Sequence, residues 1–505
     1  MNAALAIIAA FFLVAFGLAL RARRGRDMDL EQWSVGGRGF GTIFVFLLMA
    51  GEIYSTFTFL GGAGLIYGSG GVAYYILGYG TLAYVLSYYL LPAVWRYATP
   101  RKLVSQADVF VSAYRSRALG VLVSVVAVAA MIPYLALQFK GLGEIVSATS
   151  YGKLSATPAI WIGAVAMSVY VAASGIRGSA WTAAIKDILT LSVVVFIGLY
   201  LPIHYFGGIG DMFRAVDKAK PGFAALSDSQ LTPVWFSSTV LLTALGFYMW
   251  PHTFGSALSA RNENVLRRNA VYLPIYQLLL AFVFFVGFAA VLKTPKLGNS
   301  DLALLTVSKD AFPQWFVGLI GSAGVLCALV PGSMLMIASA TTVAKNVVRG
   351  LNPGMTDAAT TRLTKLLVPL VALGGVGFVF SGGQTLVTLL LIGYSLVTQL
   401  FPPLVMGLAA PGRVTKWGAM AGVVAGVAMV AGMSFSGATP GTSTTVDSFI
   451  GGLPGWIGQL NLAIVALVVN LIVMFVVSAL TPGAAATGSG RFERAPARDR
   501  AIVEG

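Results

Sequence analysis

An acid inside an apolar stretch is the first candidate for chemistry in this sequence. Glu52 lies among small and hydroxylated residues, between Gly51 and Thr56, and a run of glycines begins at Gly61. An ionisable side chain at membrane depth costs about 2.5 to 3.5 kcal/mol, so it indicates a functional site by default. Such a segment suits a helix that breaks at mid-membrane, where free carbonyls bind cations and free N–H groups bind anions. The glycines alone would favour close helix packing, but Glu52 among them favours a site.

A histidine beside a proline is the second candidate. His252 follows Trp250 and Pro251 late in an apolar stretch, and Gly246 lies a turn earlier. Because proline removes a helix hydrogen bond and clashes with the preceding turn, we expect an unwound or kinked segment from Gly246 to Pro251. A histidine there can donate to a carboxylate or titrate near neutral pH. Its alternative role is a hydrogen bond between two helices, and the binding site is favoured slightly over it.

Two lysines and a second acid also lie inside apolar stretches. Lys186 and Asp187 are adjacent, so on a helix their side chains project about 100° apart and are not expected to face one cavity centre. Either Lys186 extends to the membrane interface while Asp187 pairs with a basic neighbour, or Asp187 belongs to an ion path. Lys140, close to Gln138, could attract an anionic solute or pair with Glu52, and the sequence leaves both open.

The elements that must position these residues are long and apolar. The chain has 505 residues, of which 57% are hydrophobic and 10% charged, and its mean hydropathy is +0.83. A membrane-spanning helix needs about 20 mostly apolar residues, and the composition excludes an ordinary soluble protein. We therefore predict an all-α polytopic membrane protein. Its thirteen predicted spans, numbered in chain order, are 2 to 20, 40 to 66, 72 to 95, 118 to 146, 157 to 174, 183 to 203, 232 to 256, 271 to 292, 313 to 344, 366 to 381, 385 to 409, 418 to 435 and 456 to 479.

The distribution of positive charge predicts the orientation of these spans. Of the 33 Lys and Arg residues, 24 lie on the side of Arg21, seven lie on the opposite side and two lie inside spans. Cytoplasmic loops carry the excess of positive charge, so we predict an outer N-terminus and an inner C-terminus. The same bias accounts for the net charge of +15 without a nucleic acid partner. The first span is expected to be retained rather than cleaved, and residues 481 to 505 are expected to form a disordered cytoplasmic tail.

Short motifs carry a resemblance to a known family. The run from Trp33 to Phe40 and the run from Gln399 to Pro403 resemble signatures of the sodium:solute symporter family. Five further segments are most similar to the bacterial monocarboxylate (pyruvate, lactate) permease branch of that family. They are Gly51 to Ser55, Tyr134 to Gln138, Lys186-Asp187, Trp250 to Thr253 and Leu329 to Pro331.

The resemblance implies a leucine-transporter-type core of two inverted five-helix repeats, with the solute between the broken second and seventh spans. The first repeat would occupy residues 40 to 203, and the second, with the outer loop before it, residues 204 to 410. Residues 1 to 39 would hold the first span and a linker, and residues 411 to 480 two additional spans.

The resemblance also implies roles in ion coupling. Gly51 and Tyr54 match positions whose carbonyls ligate sodium, Asp187 matches an acidic position in the ion path, and Cys327 stands at a third ligand position. The ninth span departs from the pattern, because Val330-Pro331 replaces the usual pair of hydroxylated residues. A sodium ion without water needs about five or six oxygens. The coupling ion is therefore left open between sodium and a proton.

Either coupling ion has candidate groups in the sequence. Glu52, Asp187 or His252 could carry a proton, whereas Ser333, or a carbonyl freed by Pro331, could restore a sodium site. Beyond this ion, we predict no cofactor.

We predict a secondary active transporter that imports a small monocarboxylate with a cation, by alternating access, across a bacterial inner membrane. The predicted solute-binding residues are Glu52, Thr56, Gln138, Lys140, Trp250 and His252. The predicted ion-coupling residues are Gly51, Glu52, Tyr54, Asp187, Cys327 and Ser333. The alternatives are a family member for pantothenate, proline, a sugar or urea, a membrane sensor, and a membrane-embedded enzyme. Beyond the solute and the lipid bilayer, no obligate protein partner is expected.

Overall fold

The computed structural model of the chain describes residues 2 to 22, 30 to 226, 231 to 352, 354 to 435, 445 to 446 and 454 to 481. Within these residues the regular structure is helical, with two isolated β-bridges, Phe40 with Ala260 and Thr445 with Asn461. The predicted disordered tail lies outside the described residues, apart from Thr481. The all-α prediction is therefore confirmed for the part of the chain that is described.

Nine helical segments in the described residues are long and apolar enough to cross a membrane. They are Ala3–Arg21, Phe57–Ala98, Arg117–Thr149, Gly175–Phe206, Glu263–Lys293, Gln314–Leu351, Asp357–Phe380, Leu386–Ala409 and Leu462–Leu480. Four shorter apolar helices fall within other predicted spans, namely Thr42–Ile53, Ala156–Ala172, Pro233–Gly246 and Lys416–Gly432. Thr42–Ile53 and Pro233–Gly246 are too short to cross a membrane alone, and the count of thirteen spans stays a prediction.

Two of the predicted spans are interrupted where the sequence indicates a break. In the second span the helix Thr42–Ile53 ends at Tyr54, whose φ of −83° and ψ of 80° are not helical, and helical structure resumes at Phe57–Gly61. In the seventh span the helix Pro233–Gly246 ends, Trp250 is extended, and Pro251 begins the helix Pro251–Leu258. Proline fits a first helical position because its missing N–H is not needed there. Both predicted breaks are confirmed.

A single glycine separates the fifth and sixth spans. The helical run Ala156–Phe206 bends at Gly175, whose φ of 60° and ψ of −162° lie in a region that glycine tolerates and other residues avoid. The hydroxyl of Tyr170 donates to Oγ1 of Thr182 at 2.9 Å, so the helix after Gly175 folds back against the helix before it.

Short helices lie between several spans. Ile209–Ala219 lies in the loop that follows the sixth span. Gln106–Tyr114 and Ala303–Ala311 were not predicted. The first of these starts with a capping box, in which Ser105 and Asp108 satisfy each other's backbone N–H groups.

The ninth span is the centre of the packing. Its helix Gln314–Thr342 is almost entirely buried and contacts the first, fourth and sixth spans. The twelfth and thirteenth spans pack mainly on each other, as the helices Lys416–Phe435 and Leu462–Leu480. This arrangement keeps the interrupted second and seventh spans inside the bundle, where their unpaired backbone groups are shielded from lipid.

Candidate solute and cation site

A central cavity lies between the two interrupted spans, and three of the predicted solute-binding residues line it: Glu52, Trp250 and His252. Its wall comes from the second, third, fourth, seventh and eleventh spans. The lining residues are Met49, Glu52, Ile53, Phe57, Tyr79, Tyr134, Phe247, Tyr248, Trp250, His252, Thr253, Leu390 and Tyr394. A mostly apolar cavity with a few convergent polar groups is typical of a small-molecule site.

Glu52 links the two interrupted spans through its carboxylate. Its side chain is 5% exposed, and its Oε1 accepts a hydrogen bond from Oγ of Ser256, which lies on Pro251–Leu258. The backbone carbonyl of Glu52 accepts from the hydroxyl of Tyr134 at 3.2 Å. A carboxylate that joins two helical segments can respond to a ligand that enters between them.

His252 is a buried imidazole with an unused nitrogen. It is 3% exposed, and its Nδ1 has no hydrogen-bond partner among the described residues. It is the second residue of Pro251–Leu258, a helix whose N-terminus has no side-chain cap. The partial positive charge of a helix N-terminus favours an anion. Helix N-terminus and imidazole therefore converge on one side of the cavity.

Aromatic side chains form most of the remaining wall. The ring of Trp250 lies 5.0 Å from that of Tyr134 and 5.2 Å from that of Tyr394, and Tyr79 lies 6.1 Å from Tyr394. Tyr79, Tyr394 and Phe247 were not among the predicted site residues. No local signal distinguishes them, because buried aromatic residues are frequent in any helical core.

Thr56 and Gln138 contact each other and do not line the central cavity. Oε1 of Gln138 accepts from Oγ1 of Thr56 at 2.9 Å and from its backbone N–H at 3.4 Å. This amide oxygen holds the start of the second half of the broken span, whose first N–H groups lack helical partners. The structure thus places both predicted residues beside the site, in a position to support the break.

Lys140 lies in a separate charged cluster, so the alternative in which it pairs with Glu52 is wrong. Its Nζ is 3.1 Å from Oδ2 of Asp301, 3.5 Å from Oε1 of Glu144 and 2.6 Å from the carbonyl of Gln384. The cluster joins the fourth span to the segment before Ala303–Ala311 and to the start of the eleventh span. Glu144 lies one helical turn after Lys140, whereas Asp301 is 161 residues away and reaches it only through tertiary packing.

Lys186 does not extend to the membrane interface, and the snorkelling interpretation is wrong. The side chain is 0% exposed, and its Nζ donates to the carbonyls of Ala50 at 3.3 Å, Gly51 at 3.2 Å and Tyr54 at 3.1 Å. These carbonyls lie where the second span breaks, and that of Ala50 also accepts from the backbone N–H of Tyr54 at 3.0 Å.

Lys186 also contacts its neighbour in sequence. Its Nζ lies 2.8 Å from Oδ1 of Asp187, which accepts from the hydroxyl of Tyr276 at 3.0 Å. Although adjacent residues project about 100° apart on a helix, the four-carbon lysine side chain is long enough to fold back to its neighbour.

The remaining predicted coupling residues are engaged with other groups. Oγ of Ser333 lies 2.7 Å from Oγ of Ser179 and 2.6 Å from the carbonyl of Val330. Sγ of Cys327 lies 3.4 Å from Oγ1 of Thr190. In the described part of the chain, no three His, Cys, Asp or Glu side chains form a metal-binding group.

A second cavity lies on the predicted cytoplasmic side of His252. His252 and Pro251 line it together with Ser34, Ser105, Thr341 and Thr342, among others. Because His252 lines both cavities, its imidazole lies in the wall that divides them.

A polar network adjoins this second cavity through Ser105. Asp108 accepts from Nζ of Lys345 at 2.6 Å and from Nδ2 of Asn346 at 2.8 Å, and Oγ of Ser105 lies 2.8 Å from Oδ1 of Asn346. Asp108 lies in the loop helix Gln106–Tyr114, outside the spans. Burial opposes its ionisation, but Lys345 and Asn346 outweigh burial and hold the pKa of its carboxyl below the usual value.

We expect Asp108→Asn to loosen the predicted cytoplasmic side. Losing the ion pair removes a contact between Gln106–Tyr114 and the end of the ninth span, so a cysteine placed at Thr342 should react with a membrane-permeant maleimide about tenfold faster. The only native cysteine, Cys327, is buried and gives little background. Since the lowered pKa keeps Asp108 charged down to acidic pH, the wild-type labelling rate, corrected for maleimide chemistry, should stay constant from neutral to mildly acidic pH.

The matched control for this experiment is Asp357→Asn. Asp357 is 82% exposed at its side chain and pairs with Arg349 at 2.5 Å. Exposed ion pairs contribute little, so labelling at Thr342 should not change. Equal acceleration by both substitutions would contradict the role given to Asp108.

Two interrupted helices around a buried cavity, in an all-helical membrane bundle, define a class of secondary transporters with leucine-transporter-type folds. The structure of a Na⁺-coupled sialic acid symporter in a substrate-bound, outward-open state has this fold. It aligns over 95% of this chain and 98% of its own, with a TM-score of 0.74 and 14% identity. A nucleobase-cation-symport-1 family transporter aligns over 89% of this chain and 95% of its own, with a TM-score of 0.54 and 12% identity.

The chain belongs to the sodium:solute symporter family, whose model matches residues 33 to 426. The uncharacterized symporter YhjB of Bacillus subtilis is 57% identical over 95% of this chain and 98% of its own length. A monocarboxylate transport permease protein of Rhizobium johnstonii is 28% identical over 82% of this chain and 86% of its own. The chain is thus a multi-pass membrane symporter for a small solute, and not an enzyme.

Proposed function

We propose that this symporter imports a short monocarboxylate, such as pyruvate or lactate, together with a cation. The observation that carries the proposal is His252, which lines the central cavity at the uncapped N-terminus of Pro251–Leu258 and whose buried Nδ1 has no hydrogen-bond partner among the described residues. An imidazole N–H and the first amides of a helix together suit one carboxylate group. The aromatic wall suits a short apolar remainder of the solute.

Glu52 accounts for the cation in this proposal. Its carboxylate lines the same cavity, and two negative charges in a low-dielectric cavity repel each other strongly. A carboxylate is therefore expected to bind only when a cation or a proton accompanies it. This requirement couples the transport of the solute to that of the cation or proton. The name of the Rhizobium relative supports the choice of solute.

We further propose that the protein lies in a bacterial inner membrane with its N-terminus outside. The support is the asymmetry of Lys and Arg between the two sets of loops. The N-terminal residue and the tail then lie on opposite sides of the bilayer.

Solute counterflow tests the proposed solute without assuming a coupling ion. Proteoliposomes loaded with unlabelled lactate should accumulate labelled pyruvate transiently, and vesicles without protein should not. Acetate and propionate should compete, whereas lactamide, which lacks the negative charge, should not. Counterflow of proline, pantothenate, urea or a sugar in place of monocarboxylates would contradict the proposal.

A further inference from the structure

The break in the second span creates a cluster of oxygens, and a lysine fills it. The carbonyls of Ala50, Gly51 and Tyr54 lie 3.1 to 3.3 Å from Nζ of Lys186, and Oδ1 of Asp187 lies 2.8 Å from it. We call these four oxygens the carbonyl cage. The distances from Nζ to these oxygens are those of N–H···O hydrogen bonds. A calcium ion, for comparison, lies about 2.3 to 2.6 Å from its oxygen ligands.

The residues around the carbonyl cage do not fit a sodium ion. The two carbonyls that family resemblance assigns to sodium, those of Gly51 and Tyr54, already accept from an ammonium group. A cation placed there would meet the full positive charge of Lys186 at contact distance.

The side of the cage that faces the ninth span is apolar. A Cβ atom built on Gly51 would lie 3.0 Å from Cγ1 of Val330 and 3.2 Å from Cβ of Ala183, so hydrocarbon packs directly against the break. The nearest hydroxyl in sequence, that of Ser333, is bonded to Ser179 and to the carbonyl of Val330. The ninth span therefore offers no hydroxyl ligand in place of the missing pair.

Other groups near Lys186 complete its environment. The ring of Tyr54 lies 6.0 Å from Nζ, and Lys186 interacts electrostatically with Glu52 and Cys327. Together with Asp187 and its partner Tyr276, these are the titratable groups around the ammonium. Negative and dipolar groups surround it, so its positive charge is compensated in the way that a bound cation would be.

We propose that the ammonium group of Lys186 replaces the sodium ion at this position, so that solute uptake proceeds without sodium binding there. The inference depends on the proposed function only where uptake of a monocarboxylate is the quantity measured. The carbonyl cage keeps a cation throughout, and that cation is part of the protein.

Two substitutions at Lys186 separate the loss of charge from the opening of the cage. Lys186→Met removes the charge but keeps a long side chain in the cage, whereas Lys186→Ala empties it. Both should lower uptake by about tenfold or more, because buried carbonyls lose their donor. When sodium replaces choline at constant pH, solute uptake by Lys186→Ala should rise severalfold. Uptake by the wild type and by Lys186→Met should not change.

The outcomes that overturn the proposal are specific. Stimulation of wild-type uptake by sodium, under counterflow or under an imposed gradient, would contradict it. So would an identical response of Lys186→Ala and Lys186→Met to sodium. If Lys186→Ala does not fold, the wild-type measurement alone still decides.

A measurement that needs no solute distinguishes failure of this proposal from failure of the proposed function. The thermal unfolding midpoint of the detergent-purified protein should not respond to sodium chloride relative to choline chloride in the wild type. It should rise with sodium in Lys186→Ala, since a ligand that binds only the folded state stabilises it. A sodium-dependent rise in the wild type would overturn the proposal, whatever solute the protein transports.

Discussion

Replacing Glu52 with glutamine is expected to lower monocarboxylate uptake by about 10- to 100-fold, the equivalent of one lost hydrogen bond to a charged group. Glutamine keeps the size of the side chain but removes the negative charge that the accompanying cation or proton neutralises in the proposed coupling. It also weakens the bond from Ser256 that links the two interrupted spans. Initial uptake rates in proteoliposomes, at equal protein content, measure the effect.

Glu144→Gln is the matched control for Glu52→Gln. Glu144 is 8% exposed, against 5% for Glu52, but it accepts from Asn299 at 2.8 Å and does not line the central cavity. Its substitution should leave uptake near the wild-type rate. Ser256→Ala, which removes the donor and keeps the carboxylate, should give an intermediate rate. Wild-type uptake and ion dependence in Glu52→Gln would show that Glu52 is structural.

Replacing His252 with phenylalanine is expected to raise the apparent KM for the solute by about 10- to 100-fold. Phenylalanine keeps an aromatic ring of similar size next to Tyr134 and Trp250, whose rings lie 5.7 and 5.9 Å away. The substitution therefore removes hydrogen bonding with little change in packing. Because the lost contact is to the bound carboxylate, the maximal rate should fall less than the affinity.

The control for His252 is the only other histidine in the chain. His204 is exposed near the end of the sixth span and stacks on Tyr200 at 5.1 Å between ring centroids. His204→Phe should leave KM unchanged. An unchanged KM in His252→Phe would place the carboxylate elsewhere in the cavity.

The breaks and the acid between them could be predicted from the sequence because their causes are local. Proline at position 251 and glycine near Glu52 act on their own turns of helix, whatever the rest of the fold does. Acids in apolar segments are rare, so Glu52 belongs to a short set of candidate positions. Glu52, Trp250 and His252 accordingly line one cavity.

The long-range partners of Lys140 and Lys186 could not be predicted because they depend on helix register across the bundle. Lys140 meets Asp301, 161 residues away, and Lys186 meets the carbonyl of Tyr54, 132 residues away. No spacing within a span encodes such contacts. The loop helix Gln106–Tyr114 is different, since its capping residues Ser105 and Asp108 gave a local signal that was not used.

Covalent attachment gives the carbonyl cage a property that no dissolved ion has. The local concentration of a tethered group depends on the reach of its side chain and not on the medium. The occupancy of the carbonyl cage by Nζ of Lys186 is therefore independent of the sodium concentration of the medium. A free coupling ion must bind from one side of the membrane and dissociate on the other in every transport cycle. The ammonium group of Lys186 stays in the protein throughout.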